Sequence, residues 1–298
     1  MTLEQQIAQF VASGLVNGAI YALLGLGLVV IYSVTRVVNV AQGEFAALGA
    51  LVAASLVARG LPYWLAIVIA IAATAVTGAG MHRFAIRPAR KATALTLLII
   101  SIAVHLTLRG ILLILWGTDP YSLPPFSVGP PLRLAGAVLN RQSLWVIGAA
   151  LVILAGSYVF FTRTIHGKAL RACAVNPTAA RLYGIDVNAM AMQAFALAGA
   201  LGGAAGVLIT PLTLATYDMG LILGLKGFVG AVVVGFASYP WTVAACFAFG
   251  VVESLGAGLI SSAYRDAIAF GVLVAVLLWR ALAAAMEGTL VSEEQAQE

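Results

Sequence analysis

The chain has 298 residues, of which 62% are hydrophobic and only 9% charged, with a mean hydropathy of +1.04. A soluble domain carries about 25% charged residues, so this composition excludes one and defines an integral membrane protein. The net charge of +5 does not point to nucleic acid, because Lys and Arg border apolar runs and build no basic face.

Two cysteines far apart, Cys173 and Cys246, and three scattered histidines leave neither a disulfide framework nor a metal cluster. No cofactor site is expected. The N-terminal MTLEQQIAQF has no basic residue, and the apolar run behind it is far longer than a signal core. A cleavable signal peptide is therefore not expected.

Apolar runs follow at 10–31, 37–58, 61–81, 93–116, 143–161, 189–210, 221–238, 242–260 and 264–280. They predict an all-α polytopic fold of about 8–9 transmembrane helices, forming one domain over 1–286. The acidic tail, 287–298, reads as disordered. Glycines at Gly14 and Gly18, and again at Gly199, Gly202, Gly203 and Gly206, give faces on which helices can approach closely. Gly-rich helices followed by shorter, broken ones occur near both 11–58 and 195–260. Repeats around a central pathway give that pattern, and so does general glycine richness.

The run 37–58 opens on a polar cluster, Asn39, Gln42, Gly43 and Glu44, and the run 93–116 carries His105 and Arg109 on one helix face. Each charge at membrane depth costs about 2.5–3.5 kcal/mol on insertion scales, so such groups face a cavity or a partner. Pathway lining and a structural hydrogen bond remain open for Glu44. Arg109 and Lys226 can also snorkel toward the outer interface.

Residues 117–142 hold five of the ten prolines and read as an ordered loop in water. Residues 162–188 form a polar island with Arg163, Lys168, Arg171 and Arg181. Within it, Asn176 and Pro177 start a helix over 178–183 and Gly184 stops it. Two turns of helix are unstable alone, so this element needs a surface to lie on and reads as a docking element for a soluble partner. With this island and the basic patch at 82–91 both inside, the inner loops hold ten Lys and Arg against four outside.

Motifs for chemistry are absent. Gly167-Lys168 has Thr162 where a Walker A loop needs its first glycine, and Ala169 where it needs Ser or Thr. No HExxH or GxSxG sequence occurs, so the chain is not expected to be an enzyme.

Four stretches resemble the LivH-type permease of branched-chain amino-acid ATP-binding-cassette importers: 14–50, 115–124, 167–186 and 224–255. The first carries the Asn-x-Ala-[His/Gln]-Gly-Glu signature at Asn39 to Glu44. The third, GKALRACAVNPTAARLYGID, is similar to the family's cytoplasmic coupling segment. The resemblance implies that Gly167, Arg171, Asn176, Pro177, Ala180, Arg181 and Gly184 couple the chain to an ATPase. It assigns Asn39, Gln42, Glu44, His105 and Arg109 to the translocation path. The implied partners are two ATP-binding subunits, a second permease subunit in a heterodimer, an extracytoplasmic substrate-binding protein landing on the Pro-rich loop, and the lipid of a bacterial inner membrane. His105 and Arg109 depart from the small polar or Gln-like residues usual in the family, and no Arg-Pro-x-Gly-Leu follows Trp279-Arg280. Relatives carrying urea, amides or aromatic acids therefore stay open as models for the substrate. A proton-driven carrier using Glu44, His105 and Glu253 is the rival in another class.

Overall fold

The computed structural model describes residues 2–89, 92–127, 129–134 and 136–295. The chain begins with α1 (Leu3–Thr35), α2 (Gln42–Ala58), α3 (Tyr63–Met81, extended by a π-helical turn over His82–Ile86) and α4 (Ala94–Trp116). A small antiparallel hairpin, β1 (Leu132–Leu134) with β2 (Ala137–Leu139), pairs Leu132 with Leu139. Then come α5 (Arg141–Arg163), α6 (Ile165–Val175), α7 (Pro177–Leu182), α8 (Val187–Ile209), α9 (Met219–Val233), α10 (Tyr239–Leu259) and α11 (Arg265–Gln295). Among the described residues, seven helical segments are long and apolar enough to cross a membrane, and α2 and α9 are shorter apolar helices.

Glycine decides how closely these helices approach. Gly14 and Gly18 of α1 lie against the backbone of α10 at Gly250, Val251 and Phe247. Gly199 and Gly203 of α8 lie against Thr74 of α3, and Gly78 of α3 against Phe195. A Cβ at any of these positions would meet its neighbour, backbone for Gly14, Gly18, Gly78 and Gly199 and the Thr74 side chain for Gly203, as suits helices that gain nothing by hiding apolar surface from lipid. The order α1–α2–α3–α4 is repeated by α8–α9–α10–α11: α1 packs on α10 as α8 packs on α3, α1 on α9 as α8 on α2, and α2 on α4 as α9 on α11. The second set runs the opposite way, because α1 starts at the hairpin end and α8 at the other.

The two ends are distinct. At one, Gln9 of α1 exchanges two hydrogen bonds with Val138 of the hairpin (2.7 and 3.1 Å), and Tyr121 pairs with Ala215. At the other, Arg83 and Arg87 share a cavity of about 150 Å³ with Asp186 and Asn188. Arg36 there donates to the Ala174 carbonyl (3.3 Å). The Pro-rich loop and the basic segments thus lie at opposite ends. Arg90 and Lys91 of the basic patch fall outside the described residues.

Three features add to the sequence reading. The polar island holds a helix, α6, that its composition hides: eight of its eleven residues are Gly, Lys, Arg, His, Cys or Ala, leaving only Ile165, Leu170 and Val175 as large apolar residues, five apart. The Pro-rich segment holds the hairpin. Helix α11 continues to Gln295, so most of the tail read as disordered is helical, and 296–298 fall outside the described residues.

Candidate functional site

The apolar run 37–58 is broken. Helix α1 ends at Arg36, whose φ of 57° caps it in the left-handed conformation, and residues 37–41 run on as non-helical backbone. Helix α2 starts only at Gln42, and its 17 residues span roughly 25 Å, less than the ~30 Å hydrocarbon core. Irregular backbone at this depth survives only where its polar groups are satisfied. Ser101 of α4 supplies this: its Oγ accepts from the Val40 N–H (3.3 Å), and its hydroxyl is shared between the Val38 and Leu98 carbonyls (3.1 and 2.8 Å). Asn39 accepts the Ala41 N–H (3.1 Å), and Gln42 donates to the Ala198 carbonyl of α8 (2.9 Å).

Helix α9 begins against this break. Gly43 sits on Gly220 and Gly224, where a Cβ on Gly43 would meet the Gly220 carbonyl, and the Glu44 carboxylate fills the space beside Gly220. Glu44 is fully buried, with His105 Nδ1 3.1 Å from its Oε1 but not aligned for a hydrogen bond. Arg109, one turn along α4, is half-buried with its guanidinium 5.6 Å from the centre of the Tyr217 ring. Of the path residues read from the sequence, Asn39, Gln42, Glu44 and His105 therefore meet at the break, and Arg109 borders them. Arg109 reaches toward the hairpin end in a cation–π contact with Tyr217, two residues past the Ala215 that pairs with Tyr121.

A second buried cluster joins the last three helices. Lys226 of α9 donates to Glu253 Oε1 of α10 (2.7 Å) and pairs with Asp266 Oδ1 of α11 (2.8 Å); Arg265 Nε reaches Glu253 Oε1 at 3.2 Å. Lys226 is 5% exposed and Glu253 fully buried, so Lys226 does not snorkel as the sequence suggests. Its partners lie 27 and 40 residues away, beyond any local signal.

At the basic end, α6 and α7 form an angled pair. Thr164 caps α6 by accepting the Gly167 N–H (3.0 Å). Gly167 rests on the Phe160 carbonyl, where a Cβ would collide, which fixes α6 to the end of α5. Asn176 caps α7 by accepting the N–H groups of Thr178 and Ala179 (both 2.9 Å), with Pro177 at the first helical position. Gly184, at φ +80°, closes it, and the Ile185 N–H returns to the Ala180 carbonyl (3.1 Å). The pair stands on buried Ala180, Leu170 and Cys173, while Val175, Leu182 and Tyr183 are 85–87% exposed. Arg171 and Arg181 are exposed on it. Burial raises the proton affinity of the Cys173 thiol, away from thiolate.

Glycine-sealed helices long enough to span a membrane, two shorter apolar helices meeting at a break, and a short capped helix at the basic end make this a polytopic membrane protein built around an interrupted helix pair. The sequence matches the model of the branched-chain amino acid transport system / permease component family over residues 10–277, and the chain belongs to that family. It is 28% identical over 286 residues to the high-affinity branched-chain amino acid transport system permease protein BraD of Pseudomonas aeruginosa, covering 91% of this chain and 93% of the relative. The LivH permease protein of Escherichia coli K12 is 27% identical over 283 residues, covering 89% and 91%. Among solved structures, PsaBC from Streptococcus pneumoniae in complex with Fab aligns at a TM-score of 0.49 and 13% identity over 90% of each chain.

Proposed function

We propose that this chain is the membrane-spanning subunit of an ATP-driven importer that moves branched-chain or related amino acids across a bacterial inner membrane. Of two separate ATP-binding subunits, one docks on α6 and α7 of this chain, with Gly167, Arg171, Asn176, Pro177, Ala180, Arg181 and Gly184 forming or positioning the contact. A second permease chain completes the pathway, and a substrate-binding protein delivers cargo at the hairpin end. The BraD and LivH relatives, named as branched-chain amino acid permease proteins, support the substrate class.

The observation that carries the reading is α7 itself. A helix of six residues has no stability of its own, yet this one is capped at both ends and leaves Leu182 and Tyr183 bare. Exposed apolar residues at the tip of a rigid lever suit a partner's groove and serve no purpose in a connector. On this reading the basic end faces the cytoplasm, in line with its excess of Lys and Arg.

Proteoliposomes holding the permease pair, the ATPase subunits and the binding protein test it. Labelled leucine is expected to accumulate only with hydrolysable ATP, and a protonophore to leave uptake unchanged. Uptake without ATP that collapses with the protonophore would instead establish the proton-driven carrier.

A further inference from the structure

Among the described residues, seven buried side-chain atoms have no hydrogen-bond partner, and five of them belong to Asn39, Gln42, Glu44 and His105. Buried polar groups are ordinarily paired, so such a concentration at one place marks a site made for something else to fill. The chemistry of the orphans says what. Three are acceptor oxygens: Gln42 Oε1 and both oxygens of Glu44, of which Oε1 has His105 Nδ1 beside it at 3.1 Å, out of line for a hydrogen bond, and Oε2 has no partner. Gln42 cannot turn its amide over to compensate, because its Nε2 is committed to the Ala198 carbonyl. Asn39 brings one unpaired donor, Nδ2, so the site remains short of N–H groups.

A primary ammonium matches that deficit, with three donors and a positive charge opposite the Glu44 carboxylate. Arg109 lies one helical turn from His105 on the same face of α4, and it forms no salt bridge among the described residues. It is close enough to act on Glu44 electrostatically, as is Asp218. Arg109 thus follows by one turn of α4, about 5.4 Å of rise, the His105 that stands 3.1 Å from Glu44, which puts a cation and a carboxylate in the same region with room for the two ends of an α-amino acid. A cavity of about 130 Å³ opens beside the break, lined by Asn39, Gln42 and Gly224. Glu44 itself is sealed in this conformation by the Gly43–Gly220 contact.

We propose that Glu44 and Arg109 read the two charged ends of an α-amino acid in transit, the ammonium at Glu44 with Asn39 and Gln42 around it, the carboxylate at Arg109. The inference rests on the reading of the chain as an amino-acid permease and adds where, and by which groups, the cargo is recognised within the membrane. Selectivity then resides partly in the permease and not in the binding protein alone.

The test is equilibrium dialysis of the purified permease–ATPase complex, without binding protein, against labelled L-leucine, leucinamide (no carboxylate) and 2-hydroxy-4-methylpentanoate (no ammonium). The wild type is expected to prefer leucine at least tenfold over either analogue. Glu44→Gln should erase the preference over the hydroxy acid, and Arg109→Gln the preference over leucinamide. Glu44→Asp should restore part of the first. Should Glu44→Gln fail to assemble, the half-exposed Arg109 still decides the matter through leucinamide. Leucine uptake in vesicles together with unaltered selectivity in Arg109→Gln would overturn the site alone. Vesicles that take up no leucine with ATP and binding protein would overturn the amino-acid reading beneath it.

Discussion

Gly184→Pro is expected to cut ATP-driven uptake roughly 100-fold while the protein still inserts in the membrane. Gly184 sits at φ +80° and donates its N–H to the Arg181 carbonyl at 3.0 Å. Proline is locked near −65° and has no N–H, so it breaks the turn that ends α7 at a cost of about 3 kcal/mol, or two orders of magnitude in the population of the docked lever. Ala180→Glu attacks the same element from below. Ala180 is 3% exposed within the apolar cluster of Leu170 and Cys173, where the bulk and charge of a buried carboxylate have no room and push α7 off its seat. Both variants should keep ATPase subunits that hydrolyse ATP without moving leucine. Retained uptake with stimulated hydrolysis would remove the lever from the mechanism.

Lys226→Met carries the other large effect, on stability. Removing one member of a buried ion pair leaves the other uncompensated, which costs about 3–5 kcal/mol. Here the stranded group is Glu253, fully buried, left with the half-exposed Arg265 at 3.2 Å and the Tyr21 hydroxyl but without its buried cation. Asp266 is 53% exposed and returns to solvent without penalty. Thermal unfolding in detergent should show a clear fall for Lys226→Met, and the double variant with Glu253→Met should recover most of it, since both charges are then gone. A single variant as stable as the wild type would mean that water already reaches Glu253.

The sequence makes the apolar runs, their ends and the capped helix at 177–182 readable, because hydropathy, the Asn-Pro cap and a left-handed glycine are local signals. It also marks Asn39, Gln42, Glu44 and His105 as out of place in lipid. Two things escape it. The break over 37–41 is not legible as a break: the polar cluster from Asn39 to Glu44 marks the place, but the hydroxyl that stabilises non-helical backbone there comes from Ser101, some sixty residues on. The partners of Lys226 escape for the same reason, being set by how α9, α10 and α11 pack. Helix α6 is missed differently: cationic and small residues mask a short helix whose buried side is only Gly167, Leu170 and Cys173.

The account depends on the α7 lever facing the compartment that holds ATP. Tyr183 is 87% exposed at its tip, and both native cysteines are buried, the Cys173 thiol further quieted by its raised proton affinity. A Tyr183→Cys variant therefore reports sidedness against a silent background when a membrane-impermeant maleimide is added to sealed vesicles. Labelling in inside-out vesicles, none in right-side-out vesicles, and protection by bound ATPase subunits is the expected result; labelling from the outer side would contradict it.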